Sequence, residues 1–528
     1  MLNADQQRVV DTRTGATCVI AGPGSGKTET MKEHYLHLLY DGVLPSKIMC
    51  LTFTKEAAEG MAKRAKADTD TFRTFHSFGY YLVTKETGKQ PVEPELRYRL
   101  LSKLKTKYHL DYKELESFIS KLRHAGISPN QATEETGEWK YGYPKAYAEY
   151  EMERRTGGWI DFDSMLVDAV QLLENPQVRQ RWQYEHVLVD ESQDTDNLQW
   201  RLMQQISEKS GNILVFGDPN QSIYAWRDAH PENLVEFQKW FPSGTHQYLG
   251  INYRSTRNIV DFVKRHTPVN TPLTEKMTAA REIDGEPIGF KTFRTETEEA
   301  EDTISRANAD PLNSTILART NRMLAGLETI CIEHRIKYTL LGRSGFWKRT
   351  EIRKAIDRLR TLPKTFTIPV AFFTVMNEME SRYRVSDATE ADNDALDNLR
   401  TLSDIAKRFK TLPELVHFAD KVAHAKRRAQ GITLSTVHQA KGCEWKNVYL
   451  IGCRADMMPH KKGDWQEEAR IFYVAISRPI DYLRISWAGT ASPFLRGELP
   501  DMEMAKIQAD ATQYEKILKQ LNLLEPPK

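Results

Sequence analysis

The amino-acid sequence predicts an α/β protein: two domains built on parallel sheets, each interrupted by a helical insertion. Three observations carry this. Residues 17–28, TCVIAGPGSGKT, read as a short apolar strand, a glycine-rich turn and the opening of a helix. Apolar runs ending in polar clusters recur along the chain and alternate with helical stretches, as βα units feeding a parallel sheet do. Two long segments lack that alternation and are helical in composition throughout.

At 528 residues the chain exceeds what one hydrophobic core supports. The expected organisation is a first sheet domain over 1–80 and 159–248 around an insertion at 81–158, a second over 249–360 and 431–496 around a shorter insertion at 361–430, and a tail at 497–528. Hydrophobic residues make up 40% and charged residues 28%, as in water-soluble domains. A net charge of +2 means that any nucleic-acid surface is local. The five cysteines form no C-x-x-C pair, which argues against a zinc or iron–sulfur site and for a reducing compartment. The start, MLNADQQRVV, lacks a basic, apolar leader, and no stretch reaches membrane-spanning length. A cytoplasmic protein without membrane contact is expected.

In chain order, Leu2–Val10 reads as a helix entered through Asn3, and Gln6 supplies an amide that can both donate to and accept from an adenine edge. Thr17–Ile20 form the strand before the loop. Gly22, Gly24 and Gly26 let the backbone curl so that the N–H groups of this turn, Ser25 included, gather around one point, while Ala21 stands where the strict pattern has glycine. The helix from Thr28 to Tyr40 adds its dipole to this phosphate cradle. Lys27 is placed to reach the β- and γ-phosphates of ATP, and the Thr28 hydroxyl to ligate Mg²⁺.

A strand at Ile48–Phe53 runs into TFTKEAAEGM, and RTFHS follows; Phe53 and His76 are candidates to stack on nucleic acid. Sheet-like sequence resumes with Glu185–Glu191. Asp190 is the candidate Mg²⁺ carboxylate, and Glu191 the group that orients and deprotonates water. The strand Asn212–Phe216 leads into GDPNQSIYAWRDA, where the Gln221 amide suits both a γ-phosphate and the attacking water. Tyr224 and Trp226 follow it closely, linking phosphate sensing to base stacking. Next comes LGINYRST, with Tyr253 and Arg254.

The ordered series AGPGSGKT, TFTKEAA, RTFHS, VDESQDT, GDPNQSIYAWR, INYRS, ILARTN, STVHQAKGCEW and RIFYVAISRP resembles the motif set of UvrD/Rep/PcrA-type helicases of superfamily 1A, from Leu2 to about Leu495. The resemblance implies two RecA-like domains of the P-loop NTPase class. It assigns Tyr253 to stacking on adenine opposite Gln6, Glu444 to the ribose, and Arg254 and Arg478 to the γ-phosphate. Phe53, His76, Tyr224, Trp226, Arg319, Asn321 and His438 become strand-contacting residues, Trp226 foremost.

Ser314–Asn321, Ile432–Val437, Val448–Gly452 and Tyr482–Trp487 read as strands of a second sheet without a GKT of its own. The second insertion is short beside the mobile domain of larger family members and has no clear Gly-hydrophobic-Gly loop. The tail lacks the carboxylate cluster of a fused nuclease. The expected function is an ATP-dependent translocase on single-stranded DNA, with 3′→5′ polarity implied by the family, acting also at a junction with duplex. A rival is a DNA-stimulated ATPase, the motor subunit of a repair or defence complex, that remodels nucleoprotein with little unwinding of its own; a nuclease or repair factor is the expected kind of protein partner. A metabolic P-loop kinase would have no use for Trp226 or the second sheet.

Overall fold

The computed structural model describes residues 2–67, 70–91, 94–132, 142–225, 228–342, 345–383, 390–424, 430–461 and 463–499. Two compact units emerge: Met1–Tyr253 with Val269–Met277, and Arg254–Pro268 with Thr278–Lys528. The second domain was expected to begin at residue 249. Instead the chain stays in the first unit to Tyr253 and returns to it after Pro268. Leu273, on the returning segment, lies 1% exposed in the first unit's core.

The first unit holds a six-stranded sheet in the order Phe72–Thr74, Ile48–Thr52, His186–Val189, Ile213–Gly217, Ala16–Ala21, Thr245–Leu249. Every neighbouring pair is parallel. Side chains alternate between two buried faces. Cys18, Ile20, Met49, Leu51, Val187 and Val189 fill one core, and Val19, Ala21, Ile48, Cys50 and Leu188 the other. Burial on both faces explains why these strands read as continuous apolar runs. Because all strands run one way, the loops beginning at Gly22, Phe53, Asp190 and Asp218 open at the same edge. Thr245–Leu249 went unread as a strand because THQYL is half polar, as an edge strand tolerates.

The first helix, Ala4–Val10, is capped as its sequence suggests, Asn3 and Gln6 forming a reciprocal capping box. Helix Phe75–Thr87 belongs to the sheet unit rather than to the insertion. Its Phe75, Phe78, Leu82 and Val83 enter the sheet core. A Cβ on its Gly79 would lie 2.1 Å from the Met165 carbonyl oxygen, so glycine permits the close crossing with helix Phe162–Glu174. The insertion therefore starts later than Tyr81. Its helices Pro94–Tyr108, Tyr112–His124 and Tyr143–Gly157 enclose a separate core around Leu104, Phe118, Tyr143 and Tyr150. Where the chain leaves and re-enters, Gln90–Pro91 pairs with Trp159–Ile160.

The second unit repeats the architecture: Gly289–Phe293, Pro479–Ala488, Trp445–Leu450, Ser314–Ala318, Ile432–Thr436, Tyr338–Leu340, again all parallel. The two outermost strands were not anticipated: Gly289–Phe293 contains no Val, Ile or Leu, and Tyr338–Leu340 is short. The helical body of the second insertion begins ahead of Thr361, since Phe346 and Trp347 fill the core that helices Thr350–Arg360, Ile368–Tyr383, Glu390–Ala406 and Leu412–His424 build. The expected tail helix falls outside the described residues beyond Leu499. Among the described residues no helix is long and apolar enough to cross a membrane.

Candidate nucleotide and nucleic-acid site

The phosphate loop is built by tying its carbonyls outward. Asn252 Nδ2 donates to Pro23 O at 2.8 Å, Tyr253 N to Gly24 O at 2.9 Å, and Gln6 Nε2 to Ser25 O at 2.9 Å. In a trans peptide the C=O and the following N–H point opposite ways, so the amides of Gly24 and Gly26 turn into the loop. Gly24 and Gly26 have φ of 69° and 77°. A Cβ at Gly26 would sit 2.7 Å from Gln6 Nε2 and displace the amide that holds the loop. Ala21 closes the strand beneath, and Gly22 N donates to Leu249 O at 3.0 Å. Asn252 was missed by sequence reasoning; its only signal is its place in INYRS.

Gln6 is buried, and its Oε1 accepts from Asn3 N at 2.9 Å. Asn3 Nδ2 in turn donates to the Tyr253 hydroxyl at 2.7 Å, and Tyr253 is 43% exposed. The two expected adenine contacts, Gln6 and Tyr253, are thus joined through one residue.

Lys27 opens the following helix, Lys27–Tyr40, with half-buried Thr28 in its first turn. Lys27 Nζ stands 2.7 Å from Glu191 and 3.2 Å from Asp190. Burial alone would lower its pKa, but the two carboxylates outweigh it and hold the ammonium above its ordinary value. Burial, helped by Glu191, pushes the Asp190 carboxyl up against the pull of Lys27. Glu191 adopts φ of 54°, a left-handed conformation that costs a non-glycine residue energy and is held here by its surroundings. Its N–H donates to Asp190 Oδ1 at 2.9 Å.

Two buried residues that the sequence did not single out extend this centre. Gln193 Nε2 donates to Glu191 Oε2 at 2.5 Å while its Oε1 accepts from Asp218 N at 3.1 Å. Asp218 Oδ2 accepts from Gln221 Nε2 at 2.8 Å. Glu191 and Gln221, expected from separate motifs, are therefore ends of one hydrogen-bonded chain. Three residues past Gln221, Tyr224 stacks on Phe53 with centroids 5.9 Å apart and rings 13° from parallel. His76 stacks at 4.0 Å on Phe162, a residue 61% exposed that no motif had flagged. Trp226 lies outside the described residues.

In the second unit Arg254, Glu444 and Arg478 come together. Arg254 Nε pairs with Glu444 at 2.5 Å and its Nη1 donates to Ser477 O at 3.4 Å. Arg478 is 2% exposed and donates to Val474 O, Cys443 O and Ser477 Oγ at 2.9, 3.2 and 2.8 Å. Arg319 follows one strand and His438 the strand beside it, while Asn321 opens helix Asn321–Glu333. Arg319 is held by Glu468, and burial lowers the His438 pKa to about 4.

A phosphate loop and an acidic strand end on one parallel sheet, with a second sheet of the same kind, define a P-loop ATPase of two RecA-like domains. Residues 2–242 match the UvrD/REP helicase N-terminal domain, and residues 247–368 and 370–490 the UvrD-like helicase C-terminal domain. PcrA of Staphylococcus aureus strain MRSA252, named an ATP-dependent DNA helicase, is 25% identical over 94% of this chain and 84% of its own. The helicase of the same name from Staphylococcus epidermidis is 24% identical over 96% and 86%. YjcD of Bacillus subtilis strain 168 is 28% identical over 92% of this chain and 78% of its own. The chain belongs to the UvrD/PcrA-type helicases and is an ATP-dependent DNA helicase.

Proposed function

We propose that the protein is a motor that tracks single-stranded DNA in the 3′→5′ direction and opens duplex at a junction. What supports the coupling in this reading is the continuous path in the first unit from Lys27 through Glu191, Gln193, Asp218 and Gln221 to the loop of Tyr224, which stacks on Phe53; the polarity and the action at a junction are what the family resemblance implies. A change at the phosphate is thereby tied to the grip on a base.

The cradle fits a triphosphate: the Gly24 and Gly26 amides turn into the loop, and the Ser25 hydroxyl is buried without a hydrogen-bond partner, suited to an oxyanion. Lys27 would exchange its carboxylate partners for the β- and γ-phosphates. Thr28 and Asp190 would hold Mg²⁺, which supplies charge neutralisation at the phosphate oxygens. Glu191 takes the proton of the attacking water and Gln221 orients it. Gln6 and Tyr253 bind the base, and Glu444 the ribose. Arg254 and Arg478 neutralise charge developing on the transferred group, as the family resemblance implies. Phe53, His76, Tyr224, Trp226, Arg319, Asn321 and His438 hold the strand.

The small four-helix body of the second insertion favours a second reading, a motor that relies on a nuclease or repair partner for strand separation. The test measures ATP turnover with oligo-dT, oligo-U, duplex or nothing, then strand displacement on 3′- and 5′-tailed duplexes. Stimulation by oligo-dT with displacement from 3′ tails alone is expected. Stimulation without displacement would select the second reading, and displacement from 5′ tails would overturn the polarity.

A further inference from the structure

We infer that Glu468 is a positioning residue for nucleic-acid binding, fixing the plane of the Arg319 guanidinium from beneath. The inference rests on the proposed contact between Arg319 and the DNA strand. Glu468 lies near the start of helix Trp465–Ile476 and is 1% exposed. Its Oε1 accepts from Arg319 Nη2 at 2.5 Å and Nε at 3.1 Å, and its Oε2 accepts from Nε at 3.0 Å. Oε2 also accepts from the backbone N of His460 at 3.0 Å. One carboxylate thus holds both an arginine at a strand end and the backbone at His460. Space there is tight: a Cβ on Gly463 would come within 2.5 Å of Glu468 Oε1.

A buried ion pair is a poor device for stability alone, because desolvation offsets most of the attraction. What the fork supplies is geometry. Guanidinium and carboxylate are planar, so the paired edge fixes the orientation of the whole group. The third guanidinium nitrogen, Nη1, takes no part in the fork. An arginine so held loses little side-chain freedom on meeting a phosphate or base edge, and binding is tighter for it. Phosphate chemistry has no need of Glu468, which lies ten residues before Arg478.

The test is a double-mutant cycle on the full chain, reading oligo-dT affinity at fixed salt and the oligo-dT dependence of ATP turnover. Glu468→Gln keeps the shape and an acceptor for His460 N but removes the charge. It is expected to weaken oligo-dT binding about tenfold. The DNA concentration for half-maximal turnover should rise in parallel, with the saturated rate within about twofold of native. Arg319→Ala should lose at least as much, and adding Glu468→Gln to it should cost nothing more. Multiplying losses in the double variant would overturn the inference. So would native DNA affinity in Glu468→Gln, or a drop in its melting temperature with affinity per folded molecule unchanged. If Arg319→Ala binds DNA normally, the reading of Arg319 fails and the inference with it; if only Arg319→Ala is impaired, the inference alone fails.

Discussion

Glu191 and Gln193 divide the work of one short loop. In the proposed mechanism Glu191 acts on water alone, whereas Lys27 binds phosphate before and during transfer, so removing the Glu191 charge should spare nucleotide binding. Glu191→Gln is expected to lower turnover by on the order of a hundredfold or more with ATP still bound. Gln193 touches neither phosphate nor water in this reading, but its amide bridges Glu191 and Asp218. Replacing it by leucine removes the acceptor that the Asp218 N–H uses and one of the groups that hold Glu191. A loss in kcat of roughly tenfold follows from one charge-assisted hydrogen bond. Rates and nucleotide affinity measured side by side decide this; native kcat in Gln193→Leu would falsify the relay.

Between elements, charge pins the first insertion to the sheet. His124 ends helix Tyr112–His124 and faces Asp163 at 3.6 Å and Asp196 at 3.4 Å, the second of which caps helix Asn197–Ser207. Burial opposes the imidazolium, but the two carboxylates outweigh it and push the pKa up to about 10. Arg123 beside it pairs with fully buried Asp161 at 2.8 Å. With a folded pKa above the unfolded value, His124 binds its proton more tightly when folded. Its contribution is complete below about pH 6.5 and is lost as pH rises towards 10. The melting temperature of His124→Gln should therefore lie well below native at pH 6 and approach it by pH 10. A gap that widens with pH would remove the pairing from the account.

For the molecule as a whole, the path of the chain matters more than its length. The segment Val269–Met277 is separated from the rest of the first unit by Arg254–Pro268, yet it completes that unit's packing. Leu273 is buried in the core, and both Leu273 and Met277 back the phosphate loop, 3.7 and 3.6 Å from where a Cβ on Gly22 would stand. Leu273→Ala is expected to destabilise the first unit by about 2–5 kcal/mol, the cost of a cavity in a packed core. ATP should recover part of that loss, since it binds the folded loop only. Thermal unfolding with and without ATP measures both. An unchanged first transition would place Leu273 outside the core.

Contiguous residues were enough to read the phosphate loop, the acidic strand end and the central strands of both sheets. A strand buried on two faces must be apolar throughout, a loop that curls N–H groups inward needs glycine at φ above zero, and the capping box lies within four residues of Asn3. Local pattern carries all of these. The edge strands were hidden because half their surface meets water and their sequence is mixed. Asn252 on Pro23, Gln193 between Glu191 and Asp218, Phe162 on His76 and Glu468 under Arg319 were decided by tertiary structure alone. Each brings a side chain whose identity is compatible with an ordinary surface or core position to a side-chain or backbone partner, and their meeting depends on where separate strands end. Hydrophobic period and glycine placement determine which segments form the sheets. Which polar groups then share a partner is fixed only when parallel strands bring their carboxyl ends to one edge.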